Sequence, residues 1–187
     1  SWFDDKFAGT RLPTLLQSLA VIQPRSVTLI ERKAGDAASL VKLLEEQKLL
    51  EKVVVQAFDF EFVAACRKIS PTLALGALCG KTANIEQLKA AADTGADLIV
   101  WNHEKLGREQ VEQIHQLGKK AWVYTVDDPA RARTLVSWGI DGIITNKPDP
   151  AGFAAGYDLE GSVLDGGGGY IAEGFVNIPV SERTAVR

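Results

Sequence analysis

Six short runs of aliphatic, β-branched and aromatic residues alternate along this chain with stretches whose apolar residues recur every three to four positions, and that alternation constrains the fold more than any other feature. The runs occupy 27–33 (VTLIERK), 53–58 (VVVQAF), 73–78 (LALGAL), 98–102 (LIVWN), 121–126 (AWVYTV) and 142–145 (GIIT). Each is bounded by turn formers and reads as a strand. Helical spacing occupies 37–47, 60–68, 85–94, 108–117 and 129–138, with a further helix at 13–20 ahead of the first strand. Asp59 and Pro129 stand at helix starts, and Gly95, Gly118 and Gly139 follow helix ends, where a residue with positive φ closes the last turn. Strands that alternate with helices predict βα units and a parallel sheet.

An open doubly wound sheet and a closed barrel both satisfy that order. The connections are uniform, and no GxGxxG follows any strand, which argues against a dinucleotide fold. Polar residues collect at the C-terminal ends of the strands: Glu31, Lys33, Gln56, Asn102, Asp127, Thr145 and Asn146. Barrel enzymes keep their sites at that rim. The expectation is therefore an α/β chain of the parallel (β/α)8 TIM type, an incomplete barrel to which this chain supplies about six strands. Positions 1–150 would form the partial barrel, and 151–187 a Gly-rich C-terminal tail of unknown role.

Composition narrows the function classes. At 187 residues, 46% hydrophobic, the chain can bury one core. With 21 basic and 24 acidic residues, a net charge of -3, it offers no electrostatic reason to bind nucleic acid or an anionic membrane. An anionic substrate would need a local positive site. Cys66 and Cys79 lack CxxC spacing and sit in apolar surroundings, so buried free thiols and a reducing, cytoplasmic setting are expected. No run approaches the roughly 18 apolar residues of a membrane span, and no secretory leader pattern opens the chain. The absence of methionine predicts a chain that is processed, trimmed or part of a longer product.

Strand alternation puts Glu31 and Lys33 on one face, two residues apart at a C-terminal strand end. Such a pair is either a local ion pair or a carboxylate and an ammonium that together hold a cation and an anionic oxygen. Gln56 and Phe58 likewise share a face of the next strand, where glutamine serves a polar task or is a satisfied core amide. His103 follows a strand end and reads as a cap or an exposed residue, and His115 reads as surface. No GxSxG, HExxH or Walker loop occurs.

The phrases VYTVDD (123–128) and GIDGIITNKPD (139–149) resemble the VWTVN and GVDGIITDRPD signature of the glycerophosphodiester phosphodiesterase family. SWFDDKFAGTRLPTL at the start resembles the family's GSWF segment and IPTL helix start. LIERK resembles its IEIK strand, and VVVQAFDFEFVAACRKISPTLALGAL its VQSFD strand, following helix and LGAL strand. The resemblance runs in order from Ser1 to about Asp149 and implies a (β/α)8 barrel in which the segment matching Ser1 follows the first two strands.

It further implies metal-dependent hydrolysis of glycerophosphodiesters to an alcohol and sn-glycerol 3-phosphate by the complete barrel, with one divalent cation, Mg or Ca, held through oxygens. On that resemblance Glu31 falls on a carboxylate metal ligand and Lys33 on the phosphate-contacting lysine. Tyr124 takes the place of a tryptophan near the glycerol, with barrel packing as the other reading. Trp2 and Phe3 match an apolar wall over the site, with a loop clamp as the other reading, and Asn146 stands where the family has aspartate, as a loop cap.

The family's acid–base histidines, in HRG and HD phrases, and its two further metal carboxylates, in an ExD pair, have no counterpart here. No catalytic residue is assignable, and the cation would be weakly held, if at all, by this chain alone. Arg32 replaces a usually apolar residue, and Leu16 and Gln17 replace an acidic pair, changes that point to relaxed pressure or an altered lining.

Six strands would leave two parallel edges open. A missing segment, another chain or the tail would cover them, and for the tail a flexible or docking role is expected ahead of edge pairing. The alternative to the enzyme is an inactive fragment or pseudoenzyme serving as a phosphate-binding or assembly module. A third reading is a different barrel enzyme acting on a phosphorylated small molecule.

Overall fold

A computed structural model describes Gly9, residues 11–23 and 26–147, and the backbone of five short strands beyond them. The order is α1 (Leu15–Ile22), β1 (Thr28–Glu31), α2 (Ala37–Glu46), β2 (Val53–Ala57), α3 (Phe60–Ile69), β3 (Ala74–Cys79), α4 (Ile85–Asp93), β4 (Leu98–Asn102), α5 (Arg108–Gln116), β5 (Lys120–Tyr124), α6 (Pro129–Ser137) and β6 (Gly142–Ile143). Every helix and strand expected from the spacing is present, with ends moved by a few residues. Asp59, expected at a helix start, caps α3 by accepting from Phe62 N at 3.1 Å; Asp36 and Asp128, not singled out in the sequence, cap α2 and α6 by accepting from Ser39 N at 2.8 Å and Ala130 N at 3.0 Å.

β1 to β6 pair in sequence order, all parallel, which makes an arc of six strands with the helices on its outer side. This is the half-barrel the alternation predicted. Alternation along the strands divides their side chains between two faces. Ile30, Val55, Leu75, Ile99 and Val123 point outward into the main core with Leu40, Leu44, Leu88, Val111, Ile114 and Leu135 of the helices. The inner face carries a smaller apolar layer, Leu78, Leu98 and Val100, ringed by Val54, Trp122, Tyr124 and Ile144. Gly142 is obligatory there, because a Cβ would stand 2.6 Å from the Trp122 indole.

Five further strands lie in the tail: β7 (Ala154–Ala155), β8 (Asp158–Leu159), β9 (Ile171–Glu173), β10 (Val176–Ser181) and β11 (Thr184–Val186). β9 runs antiparallel along the free edge of β1, pairing Ile30 with Ala172 and Glu31 with Ile171, and β8 pairs with β9. The tail thus pairs with the sheet instead of ranging free, because an unpaired β1 edge presents backbone N–H and C=O groups that any available strand satisfies. β10 pairs with β7 and β11 in a separate three-stranded sheet. The glycine run at 166–169 lies outside the described residues.

Arg32, singled out in the sequence as a change of lining, points away from the inner face. Its guanidinium bonds Asp59 Oδ2 at 2.8 Å and the Gly35 carbonyl, and stacks 4.8 Å from the Phe62 ring centroid, so it ties the β1–α2 loop to the start of α3. Leu75, fully buried at the centre of the outer core, tests the packing: Leu75→Ala is expected to lower unfolding stability by about 3 kcal/mol, read from urea midpoints, whereas Leu16→Ala on the exposed side of α1 leaves the midpoint nearly unchanged.

Candidate active site

Register decides which predicted residues meet. Glu31 pairs with Gln56 and Gln56 with Gly76, so the three stand side by side on the inner face near the C-terminal rim. Gly76 fits because a Cβ would lie 3.1 Å from Cβ of Gln56 and 3.2 Å from Val100. Glu31 is 5% exposed and Gln56 3% exposed, so both polar heads are withdrawn from solvent. Lys33, two residues on, reaches back so that its Nζ lies 2.5 Å from Glu31 Oε1. The structure therefore realises the pair that alternation implied, a buried carboxylate bridged to a half-exposed ammonium.

Gln56 Oε1 is buried without a hydrogen-bond partner among the described residues. A buried unpaired carbonyl oxygen costs about 1–3 kcal/mol of lost hydration, so this atom calls for a donor or a cation. Whether the site suits a divalent cation depends on the donor count. Glu31 and Gln56 offer oxygens to one another's neighbourhood, but among the described residues no group of three or more His, Cys, Asp or Glu side chains converges. Hard cations take six to eight oxygens. The described residues do not fit such an ion by themselves.

Phe58 and Tyr124 form the next wall. Their rings meet edge to face with centroids 6.3 Å apart, and the Tyr124 hydroxyl donates to the Cys79 carbonyl at 2.9 Å. Burial, with the Cys79 thiol and the Glu31 carboxylate nearby, pushes the Tyr124 phenol up to about 12. Phe58 is 53% exposed, a large apolar surface turned to the open side of the arc. Trp2 and Phe3 lie outside the described residues. Across the rim, Asp127 accepts from the Thr145 hydroxyl at 2.9 Å and from Asn146 N at 2.8 Å, so Asn146 closes a loop as expected.

Several contacts escaped the sequence reading. Arg131 of α6 bonds both the His103 carbonyl and its Nδ1, and His115 Nε2 lies 2.9 Å from Asp141 Oδ2, which also accepts from Ala121 N. Both histidines are thus structural ties between neighbouring βα units. The Trp101 indole N–H donates to the Lys81 carbonyl at 2.7 Å, which fixes the loop after β3. No local signal marks these contacts, since each joins residues 20 or more apart. Cys66 and Cys79 are free and buried, and burial raises their thiols to about 11 and about 12.

An arc of βα units with a carboxylate, an ammonium and an amide at the C-terminal rim defines an incomplete TIM-type (β/α) barrel. Residues 2–150 match the model of the glycerophosphoryl diester phosphodiesterase family, and the chain belongs to that family. It is 29% identical over 156 residues to a glycerophosphodiester phosphodiesterase of Caldanaerobacter subterraneus, covering 79% of this chain and 63% of the relative. A glycerophosphodiester phosphodiesterase of Bacillus subtilis is 27% identical, with 80% and 58% covered. The chain therefore spans less than two thirds of the length of these relatives.

Among solved structures, glycerophosphodiester phosphodiesterase from Agrobacterium tumefaciens superposes with a TM-score of 0.64 at 22% identity, over 78% of this chain and 63% of that one. An Oleispira antarctica phosphodiesterase in complex with the product sn-glycerol-3-phosphate superposes at 0.60 with 21% identity, over 71% and 57%. At those identities the likeness is one of fold.

Two outcomes test the site. Titration of the chain with calcium is expected to show no site tighter than about 1 mM by calorimetry, since among the described residues no three carboxylate, imidazole or thiol ligands converge around Glu31. The raised Tyr124, Cys66 and Cys79 groups bind their protons more tightly folded than unfolded. Their contribution is whole below pH 9 and is lost as pH rises towards 12, so urea midpoints should hold from pH 7 to 8.5 and fall above.

Proposed function

We propose that this chain is the C-terminal three quarters of a phosphodiesterase barrel that hydrolyses glycerophosphodiesters to an alcohol and sn-glycerol 3-phosphate. The observation that carries this reading is the Glu31–Lys33 pair beside the unpartnered Gln56 oxygen, at the rim where the fold class places its chemistry. Lys33 would meet the phosphate and offset charge on its oxygens, and Gln56 would accept from a substrate hydroxyl. Phe58 and Tyr124 would pack against the glycerol, as would Trp2 and Phe3. Metal dependence is part of the proposal: Glu31 would be one ligand of a Mg or Ca ion, the others coming from the units that complete the barrel, and such an ion polarises the phosphodiester. The general acid and base also belong to those units, supplied by a preceding segment or by another chain, in a soluble, cytoplasmic setting.

A second reading has its own support. Glu31 and Lys33 close on each other, and β9 lies along the β1 edge where a completing strand must enter. Both suit an inactive module that binds phosphate or assembles with a partner.

The experiments separate the two. This polypeptide alone is expected to release no choline from glycerophosphocholine, whereas joining two βα units carrying HRG, ExD and HD phrases ahead of Ser1 is expected to restore EDTA-sensitive hydrolysis. Removing residues 151–187 should speed that complementation by clearing the β1 edge. In the completed enzyme Lys33→Ala should reduce kcat/KM by about 10²–10³. Complementation that yields a folded barrel without hydrolysis would establish the module reading instead.

A further inference from the structure

Where β3 and β4 end against the first turns of α3 and α4, the fold leaves a cavity of about 400 Å³, in the range of small-ligand sites. Phe58, Phe60, Leu78, Cys79 and Trp101 make its walls apolar, and Ala90, a small residue one turn after Gln87, leaves it open on the α4 side. Gln87 is the exception to the apolar lining. Its Oε1 is buried and has no hydrogen-bond partner among the described residues. Native interiors rarely leave such an acceptor unpaired, so a donor group on a bound ligand suits this atom.

The cavity borders the candidate site through Phe58 and Gly80. Phe58 lines it and meets Tyr124 edge to face, and Gly80, also in the lining, has Tyr124 as its neighbour: a Cβ on Gly80 would lie 3.3 Å from the phenol oxygen. Tyr124 and Glu31 share the inner face of the arc, and Lys33 bonds Glu31. A diester with its phosphate at Lys33 could therefore extend past Tyr124 into the cavity. Aromatic walls alone would also suit a quaternary ammonium, but among the described lining residues the charge present is the cation of Lys81, with no carboxylate beside it.

We propose that this cavity is the subsite for the alcohol portion of the phosphodiester, and that it takes an alkyl or aryl alcohol bearing one O–H or N–H donor, in preference to a cationic headgroup. The proposal rests on the phosphodiesterase reading and narrows its substrate class. Gln87 then acts as a specificity residue that accepts from the alcohol's donor, and Phe58 as the shared wall between the two halves of the substrate.

The test uses the whole chain for octan-1-ol and octane-1,8-diol, and the completed barrel of the complementation experiment for glycerophospho-octanol, glycerophosphocholine and sn-glycerol 3-phosphate. Octan-1-ol should shift the Trp101 indole N–H resonance saturably, and Ala90→Trp, which fills the cavity, should abolish the shift. Glycerophospho-octanol should bind about tenfold more tightly than glycerophosphocholine, an advantage that Ala90→Trp removes while binding of sn-glycerol 3-phosphate is unchanged. Gln87→Leu should lower the affinity for octane-1,8-diol relative to octan-1-ol about fivefold. An octan-1-ol shift that is absent or survives Ala90→Trp overturns the cavity as a site. An alkyl diester no better than glycerophosphocholine overturns its role in the substrate. Failure of sn-glycerol 3-phosphate to bind the completed barrel would instead strike the phosphodiesterase reading, and the alcohol subsite with it.

Discussion

The hydrogen-bond register between adjacent parallel strands is the constraint on which the rest of the structure depends. Pairing Glu31 with Gln56, Gln56 with Gly76, and Asn102 with Tyr124 fixes which side chains face the inside of the arc and at what height. A slip of one residue at β1 would turn Glu31 and Lys33 into the apolar layer under the helices and bring Ile30 to the rim. The outer core holds that register in place, because its fully buried aliphatic residues from five strands fit only one alternation. Chemistry at the inner rim is in this sense a by-product of packing on the outer side.

The same arc carries the structure's main tension. A parallel sheet is stable when both faces are covered, and here the helices cover one. The inner face keeps a thin apolar layer, with Phe58 exposed on the open side of the arc. The β1 edge is met by β9 from the tail, while the opposite edge is limited to the two residues of β6. Edge, inner face and the partnerless Gln56 oxygen all point to the same side of the molecule. On the proposed phosphodiesterase reading, what completes the sheet there also completes the donor set around Glu31, so closing the barrel and assembling the site are one event.

The order of helices and strands was legible because it is written in periodicity, and the half-barrel followed from strand count and rim polarity. The Glu31–Lys33 pair was legible for the same reason: two residues apart on a strand is a geometric statement that needs no tertiary information. Phe58 and Tyr124 could be placed on a face but not joined to each other, since 66 residues separate them and only the curvature of the sheet brings their rings together. Arg32 shows the reverse failure. Its charge suggested an altered pocket, yet alternation with Glu31 sends it outward to Asp59, and the lesson is that the parity of a strand position outranks its chemistry.

By itself the sequence determined the class of fold, the family and the face on which each strand residue stands, because these depend on local spacing and on phrases contiguous in the chain. The tertiary structure decided which polar groups are satisfied and which are left waiting. Gln87 and Gln56 look alike as letters. Only the packed fold buries an oxygen of each without a partner, and opens a cavity beside the first while setting the second against a carboxylate. The reason is physical: burial and the loss of water are properties of the assembled neighbourhood, to which residues far apart in sequence contribute at once.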